Sequence, residues 1–219
     1  MRNLTILISL LSLFAFACER MPKEKKGAPE SNQPQVQQPA GPKPLKVEFY
    51  VMSQCPFGVE VENAVKPVLD KIGHLVDFKI DYIVNAAPDG TFKSLHGEPE
   101  VQGNIVQLCV NKYAPQKFLD FLMCQNKNMR EVHTNWKACA QQFGIDVAKI
   151  ETCFSGQEGK DLLKASSERA QNRKAGGSPT IFVNDKPYMG GRSTNAFMRA
   201  SGGQCRVCDR LPLQRMRKV

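Results

Sequence analysis

The sequence predicts an α/β domain that carries an inserted block of helices, and three observations support this fold class. A segment rich in β-formers, a helical segment and an alternating segment follow one another within residues 46–84. Apolar residues then recur at helical spacing through residues 100–174, and two short strand-like segments joined by a turn signal follow at 180–189. Of the 219 residues, 42% are hydrophobic and 23% are charged, which argues against wholesale disorder.

The first 17 residues have the parts of an export signal. An arginine precedes an apolar run, and Ala15-Phe16-Ala17 fits the A-x-A cleavage pattern. Cys18 follows directly, and its position resembles that of the lipidated cysteine in bacterial lipoproteins. We therefore predict a signal peptide at 1–17, a lipid on Cys18 and a location outside the cytoplasm, where disulfides persist. The alternative is a soluble exported protein with a cysteine at the cut by chance.

Residues 18–44 are predicted to form a disordered tether. Residues 19–44 contain six prolines and four glutamines but no aromatic residue, so they cannot build a core. The chain has no run of 18 apolar residues, which argues against a membrane-spanning helix. The net charge of +9 favours an anionic membrane surface or an acidic partner, whereas no basic block with interleaved aromatics indicates nucleic-acid binding.

The first β-α-β unit follows the tether and opens a domain predicted at 45–204. Residues 46–52 are a strand, residues 57–72 have helical apolar spacing, and residues 76–84 alternate as a second strand. A helix between two strands favours parallel pairing. Residues 85–98 are a polar loop.

A helical insertion at about 98–174 follows, and then a hairpin. The predicted helices are about 100–113, 115–126, 130–143, 146–154 and 158–174, with Asp146 as an N-cap. Strands at 180–183 and 186–189 flank the turn signal Asn184-Asp185, and residues 194–201 form a final helix.

Cys55 is the candidate nucleophile, because it lies between the first strand and the first turn of the following helix. A helix N-terminus carries partial positive charge and unpaired N–H groups, which stabilise a thiolate, and the thiolate is the reactive form. Pro56 suits the first helical turn. The alternative is an inert cysteine buried at a strand end.

Ser178-Pro179-Thr180 before the late hairpin is the second feature of the candidate site. A cysteine-proline pair after the first strand, together with this tripeptide, resembles the thioredoxin superfamily and its DsbA-like branch. The resemblance implies a thioredoxin-like fold, a cis Pro179 that faces Cys55, and a substrate groove at Ser178 and Thr180.

The helical insertion resembles a narrower family, the gamma-interferon-inducible lysosomal thiol reductases. Their signature is C-Q-H-G-x2-E-C-x2-N, and the matching positions here are His96, Gly97, Glu100 and Asn104. Ser94 and Val101 stand at the two signature cysteine positions. Both cysteines are thus missing together, which is the pattern expected if one disulfide has been lost. Residues 181–187 are similar to the family's V-x-V-N-G-K-P strand and turn. His96 either relays a proton or is a loop histidine satisfied by the backbone.

The chain departs from both families at Gly58, which occupies the resolving position of their C-x-x-C motif. The usual intramolecular release of a mixed disulfide is therefore unavailable at this motif. Four other cysteines lie in the helical block and are expected to form two structural disulfides, with three connectivities open. They are Cys109, Cys124, Cys139 and Cys153.

Cys205 and Cys208 form a C-x-x-C motif in a basic tail at 205–219. Three interpretations stay open: a resolving pair that docks on Cys55, a structural tie, or a metal site of three thiolates with Cys55.

The sequence thus predicts a thiol-disulfide oxidoreductase or isomerase outside the cytoplasm that acts through Cys55 alone. Its expected partners are protein or peptide disulfides, a thiol reductant and, through the lipid, a membrane. No cofactor and no resident metal are expected. The alternatives are a non-catalytic binding lipoprotein of thioredoxin-like shape and a thiolate metal carrier.

Overall fold

A parallel β-α-β unit forms the start of the domain. The computed structural model describes residues 44–201. Strand β1 (Leu45–Val51) leads into helix α1 (Pro56–Ile72), and strand β2 (Val76–Tyr82) pairs parallel to β1. The predicted unit is therefore present, and each of its boundaries lies within two residues of the expected one.

The segment after β2 differs from the predicted polar loop, because it contains a small hairpin. Strands β3 (Asn85–Ala86) and β4 (Phe92–Lys93) pair antiparallel. Between them, the Asp89 side chain accepts hydrogen bonds from the backbone and hydroxyl of Thr91, and Gly90 has a φ of 82°. The turn residues were visible in the sequence, but two-residue strands are too short to give an alternating pattern.

Five helices form the insertion. They are α2 (Glu98–Tyr113), α3 (Phe118–Asn126), α4 (Trp136–Gln142), α5 (Val147–Ser155) and α6 (Gln157–Asn172). The side chain of Asp146 caps α5 by accepting from the Lys149 backbone N–H at 3.0 Å, as expected of an N-cap. The helix predicted at 130–143 is instead a 3-10 turn followed by α4, because the chain turns at residues 132–135.

A hairpin and a final helix complete the fold. Strands β5 (Thr180–Val183) and β6 (Lys186–Pro187) precede helix α7 (Thr194–Ala200). Asn184 and Asp185 have φ values of 48° and 64°, as a two-residue hairpin turn requires. The sheet order is β2-β1-β5-β6, with β5 antiparallel to β1. Strand β1 is almost fully buried; its residues are mostly apolar, with Lys46 and Glu48 as the exceptions.

Polar contacts hold α6 against the sheet. The Arg169 guanidinium binds both carboxylate oxygens of Asp81 on β2, and the Ser166 hydroxyl donates to the same carboxylate at 2.9 Å. The Ser166 oxygen in turn accepts the Tyr82 backbone N–H at 2.7 Å. Arg173, one turn beyond Arg169, reaches Glu48 on β1 at 2.5 Å. The insertion is therefore fastened directly to the two strands that precede it.

Two disulfides cross-link the insertion. Cys109 on α2 pairs with Cys153 on α5, and Cys124 on α3 pairs with Cys139 on α4. Of the three connectivities that the sequence allowed, the structure has this one.

None of the helices within residues 44–201 has the length and apolar character needed to cross a membrane.

The two disulfides are expected to differ in their contribution to stability. They close loops of 44 and 15 residues, and the loop-entropy model gives about 4 kcal/mol for the longer loop and about 3 kcal/mol for the shorter. We expect Cys109→Ala/Cys153→Ala to lower the free energy of unfolding more than Cys124→Ala/Cys139→Ala, as measured by urea denaturation. Non-reducing peptide mapping checks the connectivity. A larger loss in the second double variant would contradict the expectation.

Candidate active site

Cys55 is the residue at which β1 gives way to α1. It is the N-cap residue of α1, with an extended backbone (φ −78°, ψ 119°), and Pro56 begins the helix. The first turn of α1 carries no acidic residue, and the Cys55 side chain makes no capping bond. The partial positive charge of the helix N-terminus therefore acts on the sulfur without competition from a carboxylate in that turn. The residue is 8% exposed, so its surroundings are largely dry.

The loop before β5 lies against Cys55. The Ser178–Pro179 peptide bond is cis, and the Cys55 thiol donates to the Ser178 carbonyl oxygen at 3.5 Å. The Ser178 hydroxyl oxygen accepts the Met52 backbone N–H at 3.0 Å, and the Thr180 hydroxyl donates to the Gly177 carbonyl at 2.7 Å. The fold thus brings together Cys55 and Ser178, which are 123 positions apart in the sequence. The hydroxyls of Ser178 and Thr180, expected to form a substrate groove, instead make hydrogen bonds that hold the loop.

Gly58 on α1 lies close to this loop. A Cβ atom at this position would be 2.7 Å from the Ser178 hydroxyl oxygen and 3.2 Å from the Met52 carbonyl oxygen. The space that a resolving cysteine needs is therefore occupied by Ser178 and by the end of β1. Restoring a cysteine at position 58 alone is not a neutral test of the site, because the substitution itself overpacks it.

The signature residues of α2 hold the turn that precedes Cys55. The fully buried Glu100 carboxylate accepts the Gln54 backbone N–H at 2.8 Å and contacts His96 Nδ1 at 2.8 Å. Asn104 Oδ1 accepts the Ser53 backbone N–H at 3.1 Å. Ser94, at a signature cysteine position, donates its hydroxyl to the same Glu100 carboxylate.

Close backbone approach completes this contact between α2 and the turn. A Cβ atom on Gly103 would lie 2.3 Å from Val132 Cγ2 and 2.9 Å from Ser53 Oγ. Glycine is therefore required for α2 to pass between the turn and residue 132.

A cavity of about 430 Å³ is lined by both chain neighbours of Cys55, and no sequence pattern indicates it. Its lining residues are Gln54, Pro56, His96, Pro99, Met129 and Arg130. They come from three separate segments of the chain, so no local spacing links them. His96 lies on the wall of this cavity, with its Nδ1 fixed by Glu100.

Two family models match the chain. The model described as gamma interferon inducible lysosomal thiol reductase (GILT) matches residues 46–143, and that of the DSBA-like thioredoxin domain matches residues 114–200. The domain has a DsbA-like thioredoxin fold. The expected resemblance to both families and the expected fold class are thereby confirmed. No curated protein matches the chain in sequence.

Solved structures share the DsbA-like fold at low sequence identity. BdbD from Bacillus subtilis is 16% identical, with a TM-score of 0.59 over 75% of this chain and 89% of that chain. The thiol-disulfide exchange protein alpha-DsbA2 from Wolbachia pipientis is 14% identical, with a TM-score of 0.58 over 75% and 83%. MdbA from Corynebacterium diphtheriae, a thiol-disulfide oxidoreductase, is 13% identical, with a TM-score of 0.54 over 70% and 82%.

A buried carboxyl group that sequence reasoning missed lies two turns along α1 in this DsbA-like domain. Glu62 is 1% exposed, and its Oε2 accepts from the Asn126 amide at 2.8 Å. Its Oε1 has no hydrogen-bond partner within residues 44–201. Burial raises the pKa of Glu62 to about 8, and the Asn126 bond lowers it only in part. Burial, and secondarily the Glu62 charge, raises the pKa of Tyr82. A glutamate at this helical position gives no sequence signal of its burial.

The remaining cysteines of the site hypothesis, Cys18, Cys205 and Cys208, lie outside the described residues. Within residues 44–201, Cys55 is the free cysteine, and no three His, Cys, Asp or Glu side chains cluster to hold a metal ion.

Glu62 makes stability depend on pH in a defined direction. The unfolded carboxyl ionises near 4.5, whereas the folded one keeps its proton until about 8. Between these values the folded state binds more protons than the unfolded state, so stability falls as pH rises, by a total on the order of 4 kcal/mol. We expect Glu62→Gln to remove this decline in urea denaturation between pH 5 and about pH 8. Glu60→Gln, an exposed position on the same helix, is the control. An unchanged decline in Glu62→Gln would contradict the expectation.

The crowding at Gly58 predicts a coupling with Ser178. Gly58→Ala is expected to destabilise the domain by about 1–3 kcal/mol, because the new methyl group meets the Ser178 hydroxyl. The cost should be smaller in a Ser178→Ala background, and a double-mutant cycle in urea measures the difference. Gly73→Ala is the control, since a Cβ there has its nearest neighbour at 4.0 Å. Additive effects at 58 and 178 would contradict the coupling.

Proposed function

We propose that this domain is a thiol-disulfide oxidoreductase that attacks protein or peptide disulfides with Cys55 as its single nucleophile. One observation carries the proposal: the free cysteine of residues 44–201 begins a helix and lies 3.5 Å from the carbonyl oxygen next to the cis Pro179. A helix N-terminus supplies the charge that a thiolate needs. This chemistry agrees with that of two proteins of similar fold, the Wolbachia thiol-disulfide exchange protein and the Corynebacterium thiol-disulfide oxidoreductase.

The reaction begins when the Cys55 thiolate attacks one sulfur of a substrate disulfide. A new bond forms between Cys55 Sγ and that sulfur, the substrate S–S bond breaks, and the second substrate sulfur leaves as a thiolate. The Ser178–Thr180 loop borders the sulfur, and we place the substrate segment along it. The hydroxyls of Ser178 and Thr180 fix the shape of this loop, because their hydrogen bonds are made within the protein.

Release of the mixed disulfide then requires a second thiol that residues 44–201 do not supply. The crowding at Gly58 supports a site built for one thiol, since a Cβ there would meet Ser178 at 2.7 Å. The second thiol comes from the substrate, from an external thiol, or from Cys205 or Cys208, which lie outside the described residues.

The signal-like residues 1–17 and Cys18 support an extracytoplasmic location with a lipid anchor.

The non-catalytic binding module is the second candidate, and Gly58 is the observation that favours it. A domain without a resolving cysteine keeps a loop beside Pro179 at which a peptide can dock. The two candidates differ in whether Cys55 reacts with a substrate disulfide and is then regenerated.

Removal of the Cys55 thiol separates the two candidates. We expect Cys55→Ser to reduce the rate of peptide disulfide reduction by an external thiol to that of the thiol alone, because the nucleophile is lost. Wild-type protein quenched with acid and alkylating reagent should carry a substrate adduct on Cys55, seen by peptide mass mapping. Cys205→Ser/Cys208→Ser is the matched variant that tests the source of the second thiol. Wild-type turnover equal to background, with peptide binding retained, would favour the binding module.

A further inference from the structure

The cavity beside Cys55 has a lining of unusual chemistry. Gln54 and Pro56, the two neighbours of Cys55 in the chain, form one side of it, and His96, Pro99, Met129 and Arg130 form the rest. Two of these residues are basic and none is acidic. At about 430 Å³ the cavity is of the size that holds a small ligand.

The charge of Arg130 is uncompensated in the part of the chain that the structure describes. Its guanidinium takes part in none of the ion pairs formed within residues 44–201. Glu131, the adjacent residue in the chain, accepts from the Thr134 hydroxyl instead. Arg130 is held in place through its backbone carbonyl, which accepts the Gln54 side-chain amide at 2.7 Å.

His96 contributes a second polar group whose orientation is fixed. Its Nδ1 lies 2.8 Å from the buried Glu100 carboxylate, and its backbone N–H donates to the same carboxylate at 3.2 Å. A carboxylate on Nδ1 leaves Nε2 as the ring nitrogen that can meet a ligand. The His96 side chain is about one-third exposed and lines the cavity, so the ring is open to solutes from that side.

We propose that this cavity binds the second thiol of the reaction, a small thiol that carries a carboxylate. The proposal rests on Cys55 acting as the nucleophile. Arg130 pairs with the carboxylate, since a guanidinium is the side chain best matched to a planar anion. His96 Nε2 accepts the proton of the incoming thiol. Both chain neighbours of Cys55 line the cavity, and we therefore place the sulfur of such a molecule at the end of the cavity nearest Cys55.

The electrons balance over two steps. The small thiol, as its thiolate, attacks Cys55 Sγ in the mixed disulfide; the bond between Cys55 and the substrate breaks and the substrate sulfur leaves reduced. A second molecule of the same thiol attacks the sulfur of the adduct, which frees the Cys55 thiolate and gives a symmetrical disulfide. Two small thiols are oxidised, and one substrate disulfide is reduced to two thiols.

A matched pair of disulfide probes tests the site on the full chain. The reaction of Cys55 with 3,3′-dithiodipropionate, which has a carboxylate at each end, is compared with that of the neutral 2-hydroxyethyl disulfide. Peptide mass mapping assigns the adduct to Cys55, and Cys55→Ser gives the background. We expect the anionic probe to react faster with Cys55 than with an unstructured peptide thiol, when both rates are expressed relative to the neutral probe.

Arg130→Gln should lower the rate with the anionic probe about threefold, the size of effect expected for an exposed ion pair, and leave the neutral probe unchanged. Lys127→Gln removes the same charge from a neighbouring exposed position outside the cavity and should change neither rate. His96→Gln should slow thiol release from a preformed Cys55 adduct at about pH 7–8, where an ordinary thiol still carries its proton and an ordinary imidazole is free to accept it.

Distinct outcomes overturn distinct claims. An anionic-to-neutral rate ratio no higher at Cys55 than at the peptide thiol, or equal effects of Arg130→Gln and Lys127→Gln, overturns the carboxylate site while leaving the nucleophile in place. A Cys55 that reacts with neither probe overturns the proposed function itself. A third arm uses disulfide-linked peptides with Glu or Gln beside the cysteine; a Glu preference there without one for the small probe would assign the cavity to an acidic substrate segment and overturn the small-thiol proposal.

Discussion

The buried carboxylate of Glu100 is the contact on which the geometry of the site depends. It is fully buried, and it meets the Gln54 backbone N–H, both the Nδ1 and the backbone N–H of His96, and the Ser94 hydroxyl. A buried carboxylate without partners would be strongly destabilising, so these donors must be in place whenever the domain is folded. Because Gln54 directly precedes Cys55, the same requirement fixes the turn from which Cys55 projects.

The helical insertion is therefore part of the site rather than an addition to it. Helix α2 carries Glu100 and Asn104, which together bind the turn, and Gly103 lets the helix approach it closely. The disulfide between Cys109 and Cys153 cross-links the same helix to α5. On the opposite side of the sulfur the Ser178 loop is tied to the end of β1. The cysteine is thus held between two rigid supports, and the cavity opens between the turn and the insertion.

Much of this could be predicted from the sequence, and the limits have physical causes. Strand and helix positions followed from periodicity, and the pairing of Cys55 with Pro179 followed from motifs that resemble known families. The disulfide connectivity did not, because four cysteines on four helices fit three arrangements until the packing is known. The burial of Glu62 and the cavity at Arg130 depend on residues that only the tertiary fold brings together. The crowding at Gly58 could not be predicted either, because the sequence does not show whether the space beside a helical glycine is empty or filled by a neighbour.

We propose that function rests on the thiol of Cys55, the free cysteine of residues 44–201, which begins a helix opposite the loop that crowds position 58. The measurement that tests this most directly is differential alkylation of the native, unreduced protein, followed by denaturation, a second label and peptide mass mapping. We expect Cys55 to take the first label, faster than an unstructured peptide thiol, while the four cysteines of the insertion take neither label before reduction. A Cys55 that is labelled only after denaturation, or that is recovered in a disulfide, would contradict the single-thiol proposal.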